Sequence, residues 1–244
     1  MENSLDINSI RASVAGWLEA MTRDVEPGRF RFCGKGSLVP LTGKAALFTT
    51  CFAVKIAWQA GLWDEWSKQQ QMACLEFIRS FQEKDGYFRD QWLLDKCRLS
   101  RKDYLSVIIG RTSLQDLRLR QEQVLRAETR QAVSTLLMIG EQALHPMPCE
   151  ITTPDGARRF VDALGWKNPW SAGSHVSHQL FMLTVNNKFH QKAEDNYNLI
   201  DSLLEALNHY YHVETGTWYS GNPSNVVKIN GAMKVLSGLQ WLQR

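Results

Sequence analysis

Residues 77–88 of this chain read Phe77-Ile78-Arg79-Ser80-Phe81-Gln82-Glu83-Lys84-Asp85-Gly86-Tyr87-Phe88. An amphipathic helix precedes Asp85-Gly86, and Asp-Gly is a strong turn signal. Glycine after a helix accepts the left-handed conformation that lets the chain reverse, and an aromatic side chain two positions later can close the end of a helix layer. The stretch therefore predicts a helix, a reversal at Gly86 and a plug formed by Phe88.

The same layout recurs twice. Gly-x-aromatic turns also occur at Gly28-Arg29-Phe30 and at Gly216-Thr217-Trp218. A further glycine, Gly43 or Gly231, follows each turn glycine after 15 positions, where the pattern predicts the head of the next helix. Each repeat therefore reads as a helix, a turn and a second helix.

A weaker copy begins at Asp155-Gly156, with Gly173 at the predicted helix head 17 positions later. The four turn glycines lie 58 to 70 residues apart, a length that holds two helices and their connections. The spacing predicts about four helical hairpins. The alternative is that glycine and aromatic residues mark helix ends in any helical protein.

Helical periodicity dominates the chain, and strand alternation is almost absent. One stripe at i, i+3, i+4 and i+7 comprises Ile200, Leu203, Leu204, Leu207 and Tyr211, and another comprises Leu125, Ala132, Leu136 and Ile139. We predict an all-α protein that forms a single domain over residues 1–244.

The sequence of residues 77–88 resembles the F-I-x-S-x-Q-x-x-D-G-x-F repeat of terpenoid cyclases and protein prenyltransferases. Those proteins share an α/α toroid with six-hairpin glycosidases and related polysaccharide lyases. The resemblance implies an α/α toroid here, as an open or incomplete barrel, because closed toroids use five to seven hairpins. A second copy or a partner chain would complete the ring, or the chain is truncated within its last apolar helix. The D-x-D-D and D-D-x-x-D motifs of terpene chemistry are missing.

Composition excludes several classes of protein. The 244 residues include 28 Lys+Arg and 25 Asp+Glu, for a formal charge of +3, and 44% are hydrophobic. Such values are typical of a folded globular protein and give no reason to expect a nucleic-acid partner. No apolar stretch is long enough to span a bilayer, the N-terminus lacks the features of a leader peptide, and the five cysteines form no C-x-x-C pair. We therefore predict a cytoplasmic location.

The segment 126–131 places a carboxylate on an apolar stripe. Glu128 lies three positions after Leu125 and four before Ala132, while the flanking arginines project from another side. Burial would raise the pKa of Glu128, as a general acid requires, unless an arginine keeps it ionised. We predict Glu128 as a catalytic acid and Arg130 as a substrate contact. A buried structural ion pair is the alternative.

Asp90 follows the Gly86 turn. Paired with Glu128, it would supply the two carboxylates of glycoside hydrolysis.

The segment 166–178 combines tryptophans with histidines. Trp170, on a predicted loop with Trp166, would offer a flat apolar face to a sugar ring. His175 and His178, three positions apart on a helix face, would act as acid and base. Packed structural histidines are the alternative, and no metal site is predicted because no third ligand stands at a recognisable spacing.

The segment 215–234 supplies the remaining candidates. Trp218 precedes a polar loop, and Asn230, Lys234 and Ser237 follow at i, i+4 and i+7 on one helix face. Trp218, Asn230 and Lys234 are predicted substrate contacts. The alternative for Lys234 is that its amine reaches solvent from a capped helix.

Nucleotide-binding loops, the G-x-S-x-G elbow and the H-E-x-x-H motif are absent from the sequence, so no cofactor is predicted. The sequence predicts a carbohydrate-active hydrolase or lyase that acts on a glycan or another small-molecule ligand. A terpenoid cyclase or prenyltransferase-like enzyme is one alternative. A non-catalytic helical-repeat scaffold is the other.

Overall fold

The computed structural model describes residues 6–31, 46–96, 100–111, 113–190 and 193–243. The prediction of an all-α protein is confirmed, because helices account for most of these residues. The chain divides into two compact units, Met1–His145 and Pro146–Arg244. The single domain expected from the sequence stays a prediction. Within the described ranges, no helix is both long enough and apolar enough to cross a bilayer.

The first unit is built around one central helix. Its helices are α1 (Ile7–Met21), α2 (Leu47–Gln59), α3 (Lys68–Arg79), α4 (Gln91–Lys96), α5 (Arg101–Ile108) and α6 (Leu114–Met138), with a short 3-10 helix at Trp63–Glu65. Helices α1, α3 and α6 all pack against α2, while α4 and α5 pack against α6. Helix α2 is the most apolar of them, which explains its central position.

Local sequence determines where several of these helices begin. The Asp6 side chain caps α1 by accepting the backbone N–H of Asn8 at 3.1 Å. Ser67 and Gln70 form a capping box at the start of α3. Side-chain oxygens at these positions satisfy amide donors that have no partner within the helix.

The second unit is built around α8. It contains α7 (Pro154–Ala163), α8 (Pro169–His190), α9 (Ala193–Asn208) and α10 (Asn225–Leu239), followed by a 3-10 helix at Gln240–Gln243. A short antiparallel ribbon, β1 (Tyr211–His212) with β2 (Thr217–Trp218), connects α9 to α10. Helix α8 packs against α9 and α10, α7 packs against α9, and nearly every residue of α8 from Ala172 to Leu183 is buried.

Small residues bring α8 and α10 close together. A Cβ added to Gly231 would lie 2.6 Å from Pro169 Cβ, and one added to Gly238 would lie 2.8 Å from Ser177 Cα. Ser177 Oγ also lies 3.0 Å from Ser237 Oγ across the same interface. The helix backbones thus approach more closely than larger side chains would permit.

The turn signals are confirmed at three of the four predicted positions. Gly28, Gly86 and Gly216 have φ of 76°, 88° and 64°. The aromatic residues two positions later, Phe30, Phe88 and Trp218, are all buried. The left-handed glycine and the aromatic plug therefore occur together, as the repeat pattern predicts.

The fourth predicted turn is wrong. Gly156 lies in the first turn of α7, where its N–H donates to Thr153 Oγ1 at 3.0 Å. Thr153 caps that helix and Pro154 occupies its first position, so the segment starts a helix where a reversal was expected.

The predicted helix heads also need correction. Gly173 and Gly231 lie inside α8 and α10, which begin at Pro169 and Asn225, and Gly43 lies outside the described residues. The prediction that Tyr211 continues the helical stripe is wrong, because Tyr211 lies in β1 and pairs with Trp218 in the β ribbon. The two glycines sit within helices because close helix packing requires them there.

Candidate functional site

The facing sides of α2 and α6, together with Asp90 just before α4, hold a group of polar side chains that are buried or half-buried. This group, named the α2–α6 cluster below, consists of Cys51, Lys55, Asp90, Glu128, Arg130 and Ser134. Cys51 and Lys55 lie one turn apart on α2, and Arg130 and Ser134 lie one turn apart on α6. The sequence analysis identified Asp90, Glu128 and Arg130 from this group and missed the other three.

Asp90 joins the starts of two helices. Its Oδ2 accepts the backbone N–H of Leu47, the first residue of α2, at 2.8 Å. Its Oδ1 accepts the backbone N–H of Trp92, in the first turn of α4, at 3.0 Å. Asp90 is only 4% exposed, and helix N-termini stabilise a negative charge in such a position. Both carboxylate oxygens are therefore engaged by the backbone.

Glu128 is the least well partnered carboxylate of the cluster. Its side chain is 9% exposed, and its Oε2 atom has no hydrogen-bond partner among the described residues. Burial raises the pKa of Glu128 to about 7, and the nearby negative charge of Asp90 raises it as well. The raised pKa expected for a carboxylate on the apolar stripe is found, so Glu128 can hold a proton near neutral pH.

Neither neighbouring arginine forms an ion pair with Glu128 within the described part of the chain. The Nη2 atom of Arg126 lies 3.0 Å from Glu122 Oε2, one turn earlier on α6. Arg130 is half-buried, and this burial lowers its pKa to about 10.

Lys55 supplies an amine to the same interface. Its Nζ donates to Ser134 Oγ at 2.7 Å, and Ser134 Oγ in turn donates to the Gln131 carbonyl at 3.1 Å. Burial lowers the pKa of Lys55 to about 8, with a smaller contribution in the same direction from the positive charge of Arg130. A large share of the Lys55 amines is therefore neutral slightly above neutral pH.

Cys51 lies between the acidic and basic groups. Its thiol interacts electrostatically with both Lys55 and Glu128, and burial raises its pKa to about 12. A thiol with that pKa is unreactive at neutral pH, so the role of Cys51 is to fill space within the cluster. Lys55 and Glu128 therefore each lie near enough to the Cys51 thiol to act on it electrostatically.

The sequence of α2 carries a signal that points to Lys55. Lys55 is the one charged residue of α2, which reads LFTTCFAVKIAWQ. A lone charge within an apolar helix is desolvated or exposed at a functional surface. Ser134 carries no such signal, because serine is common on helix surfaces.

The other predicted site residues belong to the second unit. His175 and His178 are buried within α8, and Trp170 lies in the first turn of that helix, 54% exposed. The prediction that Trp170 stands on a loop is wrong, because Asn168-Pro169 starts the helix one residue earlier.

Trp166 and Trp218 pack against other aromatic side chains of the second unit. Trp166 is buried, stacks on Tyr210 with 4.8 Å between ring centroids, and donates its Nε1–H to the Val161 carbonyl at 2.9 Å. Trp218 is 8% exposed in β2, with its ring tilted against that of Tyr211. Neither ring presents an open face of the kind that a sugar stacks on.

Asn230 and Lys234 are half-buried on α10, as their predicted shared face requires. Lys234 Cβ packs close to Gly173 on α8. The structure therefore brings Asp90, Glu128 and Arg130 together in the first unit, and places the other six predicted site residues in the second. Among the described residues, no three His, Cys, Asp or Glu side chains converge in a way that would hold a metal ion.

No family model, curated protein or solved structure matches this chain.

Proposed function

We propose that this chain is a carbohydrate-active enzyme that cleaves a glycan by β-elimination, with Lys55 as the base and Glu128 as the acid. The observation that supports this proposal is that the half-buried Lys55 amine and the buried Glu128 carboxyl group each act electrostatically on the Cys51 thiol in the α2–α6 cluster. The pKa of each has moved toward neutrality, to about 8 for Lys55 and about 7 for Glu128. General acid–base catalysis is most efficient with such values.

Asp90 is the reason for favouring a lyase over a hydrolase. Hydrolysis of a glycoside needs a second carboxylate that acts as nucleophile or activates water. Both oxygens of Asp90 already accept backbone N–H groups at the starts of α2 and α4. Attack by Asp90 would uncap both helices, whereas elimination needs Asp90 only as a fixed charge that keeps Glu128 protonated.

The substrate class follows from the chemistry of elimination. The neutral Lys55 amine takes the proton from the carbon beside a uronate carboxylate, and the electron pair of that C–H bond forms the C4=C5 double bond. The C4–O bond breaks, and Glu128 donates its proton to the departing sugar oxygen. Arg130 pairs with the uronate carboxylate and stabilises the negative charge that develops there.

The α/α toroid remains part of this proposal. It is supported by the helix–turn–helix repeats, by the buried aromatic after each of the three confirmed turns, and by the packing of α2 on α6 and of α8 on α10. A second copy or a partner chain would complete the ring. A cytoplasmic location is supported by the thiols of Cys51 and Cys74, which form no disulfide.

The test uses the purified chain and a panel of uronate-containing and neutral polysaccharides. Elimination produces an unsaturated uronate, which absorbs ultraviolet light, together with one new reducing end per cleavage. We expect both signals in equal amounts. We also expect a bell-shaped pH profile with limbs near 7 and 8, because the active minority of molecules, with Glu128 protonated and Lys55 neutral, is largest between these pKa values. New reducing ends without the absorbance would show hydrolysis, and neither signal on any substrate would contradict the enzyme proposal.

Two variants test the assigned roles. Glu128→Gln and Lys55→Met should each lower turnover at least about 100-fold, because each removes one partner of the proton transfer. Lys68→Met, at an exposed lysine on α3, is the matched control and should retain full activity. Full activity in either cluster variant would contradict the mechanism.

A non-catalytic scaffold is a second candidate function, and one observation favours it. Helix α10 exposes Val226, Ile229, Met233 and Leu236 on one face, each between 55% and 68% exposed. A contiguous apolar face of this kind is typical of a protein-binding surface. If this candidate is correct, Glu128→Gln will change folding stability and leave partner binding intact.

A further inference from the structure

A cleft in the first unit, apart from the α2–α6 cluster, has the size of a small-molecule site. It lies beside the end of α1, the turn at Gly28, the 3-10 helix at Trp63–Glu65 and the start of α3. Its volume is about 560 Å³, within the range of roughly 300–1,000 Å³ that is usual for ligand sites. The cleft and the α2–α6 cluster share no residue.

The floor of this cleft is apolar and aromatic. The rings of Phe30 and Trp66 stack there, with 5.8 Å between centroids and 16° between planes. Leu18, Leu62 and Cys74 line the same floor and are buried. A floor of this kind favours an apolar body, and an indole face attracts a cation.

The charged side chains that line the cleft are all acidic: Glu19, Glu26 and Glu65. Glu26 forms an ion pair with Arg29, and Glu65 forms one with Arg11, but neither arginine lines the cleft. Within the described part of the chain, no ion pair or side-chain hydrogen bond is found for the carboxylate of Glu19. The cleft therefore combines an aromatic floor with a negative rim.

We propose that this cleft binds a small organic cation, an ammonium compound with an aromatic or aliphatic body. The body packs on Trp66 and the buried apolar floor, and the ammonium group lies at the rim beside Glu19. An anionic ligand of the same shape is repelled by Glu19, the rim carboxylate without an arginine partner among the described residues, and a neutral ligand lacks that attraction. This binding is independent of the proposed glycan chemistry.

The test compares three probes that share one indole body: tryptamine, tryptophol and indole-3-propionate. Their affinities for the full chain are measured by isothermal titration calorimetry at low and at physiological salt. We expect tryptamine to bind at least about tenfold more tightly than the alcohol or the acid, and to weaken as salt screens the rim charges. Equal binding of the three probes, or no binding of tryptamine at millimolar concentration, overturns the proposal.

Two variants locate the site, and two more are controls. Glu19→Gln should weaken tryptamine binding by about three- to fivefold, as expected for an exposed charge, and Trp66→Leu by more. Glu76→Gln, at an exposed glutamate on α3 that does not line the cleft, should bind tryptamine as the parent does. Glu128→Gln should also bind normally, so that failure here and failure of the lyase mechanism are distinguishable. Unchanged binding in both Glu19→Gln and Trp66→Leu overturns the assignment.

Discussion

Lys55 Nζ lies 2.7 Å from Ser134 Oγ and joins the middle of α2 to α6. The hydroxyl of Ser134 already donates to a backbone carbonyl, so it is oriented to accept from the amine. This contact holds the amine in an interface whose burial disfavours a positive charge.

The first prediction concerns the reactivity of Lys55. Because burial lowers its pKa from 10.5 to about 8, Lys55 should be acylated by acetic anhydride with a half-maximal rate near pH 8. An exposed lysine with the ordinary pKa of this side chain should reach its half-maximal rate near pH ~10.4. Peptide mass spectrometry after brief labelling measures both rates in one sample.

Ser134→Ala extends this test. Loss of the hydroxyl removes an acceptor that favours the charged amine, so the pKa of Lys55 should fall further. If Lys55 is labelled with the pH dependence of an ordinary exposed lysine, its pKa is not lowered and the predicted role as a base is wrong.

The second prediction concerns the pH dependence of stability. The folded chain holds the Glu128 proton up to a pKa of about 7, above the ordinary value of 4.5, so the unfolded chain releases it first as pH rises. The stabilisation is complete below pH 4.5 and is lost as pH rises through 7, by at most about 1.4 kcal/mol per pH unit. Urea unfolding at pH 4.5 to 8 measures the slope.

Glu128→Gln should flatten that part of the profile, because the amide does not titrate. Glu76→Gln, an exposed carboxylate change, should leave the slope as it is in the parent chain. An unchanged slope in Glu128→Gln would show that other groups cause the pH dependence.

The third prediction concerns Asp90 as a double helix cap. Asp90→Asn retains one good acceptor and turns an amide donor toward a backbone N–H, which loses one of the two caps. We expect a loss of about 2 kcal/mol or more in the free energy of unfolding. The pKa of Glu128 should also fall, because a neighbouring negative charge is gone.

Both effects are measurable by urea unfolding across the same pH range. Asp95→Asn, at an exposed aspartate on α4, is the control and should change stability by no more than about 0.5 kcal/mol. A neutral Asp90→Asn would mean that water replaces the carboxylate at both helix starts.

The fourth prediction concerns the close contact of α8 and α10. Gly231→Ala places a methyl group 2.6 Å from Pro169 Cβ, and Gly238→Ala places one 2.8 Å from Ser177 Cα. Alanine is intrinsically better than glycine inside a helix by about 1 kcal/mol, but overpacking should outweigh this and destabilise the second unit by about 1–3 kcal/mol.

Gly16→Ala is the matched control, because Gly16 also lies inside a helix, α1, and an added Cβ there meets nothing within 4 Å. Thermal unfolding of the three variants measures the difference. Stabilisation by Gly231→Ala and Gly238→Ala would show that the two helices are farther apart than described.

The repeat pattern shows how far local reasoning reaches. Gly28, Gly86 and Gly216 were predicted as turns and have positive φ, because a left-handed residue after a helix is a local backbone requirement. Gly156 matched the same pattern and belongs to a helix, because Thr153 and Pro154 supply a helix start that outweighs the Asp-Gly signal.

The candidate site shows what helical periodicity can predict and what it cannot. The stripe on α6 was enough to predict a buried Glu128 with a raised pKa, because helical periodicity places residues on faces. It could not identify Lys55 and Ser134, which lie 79 positions apart and meet only through the packing of α2 on α6.

The sequence by itself determined the all-α class, three of the turns and the burial of Glu128, since these depend on periodicity and on backbone conformation near each residue. Only the tertiary structure decided that Asp90 caps two helices, that Lys55 contacts Ser134, and that Gly231 and Gly238 are contact points inside a helix. Such relationships depend on which helices pack together and in what register. The local sequence around a residue determines neither of these.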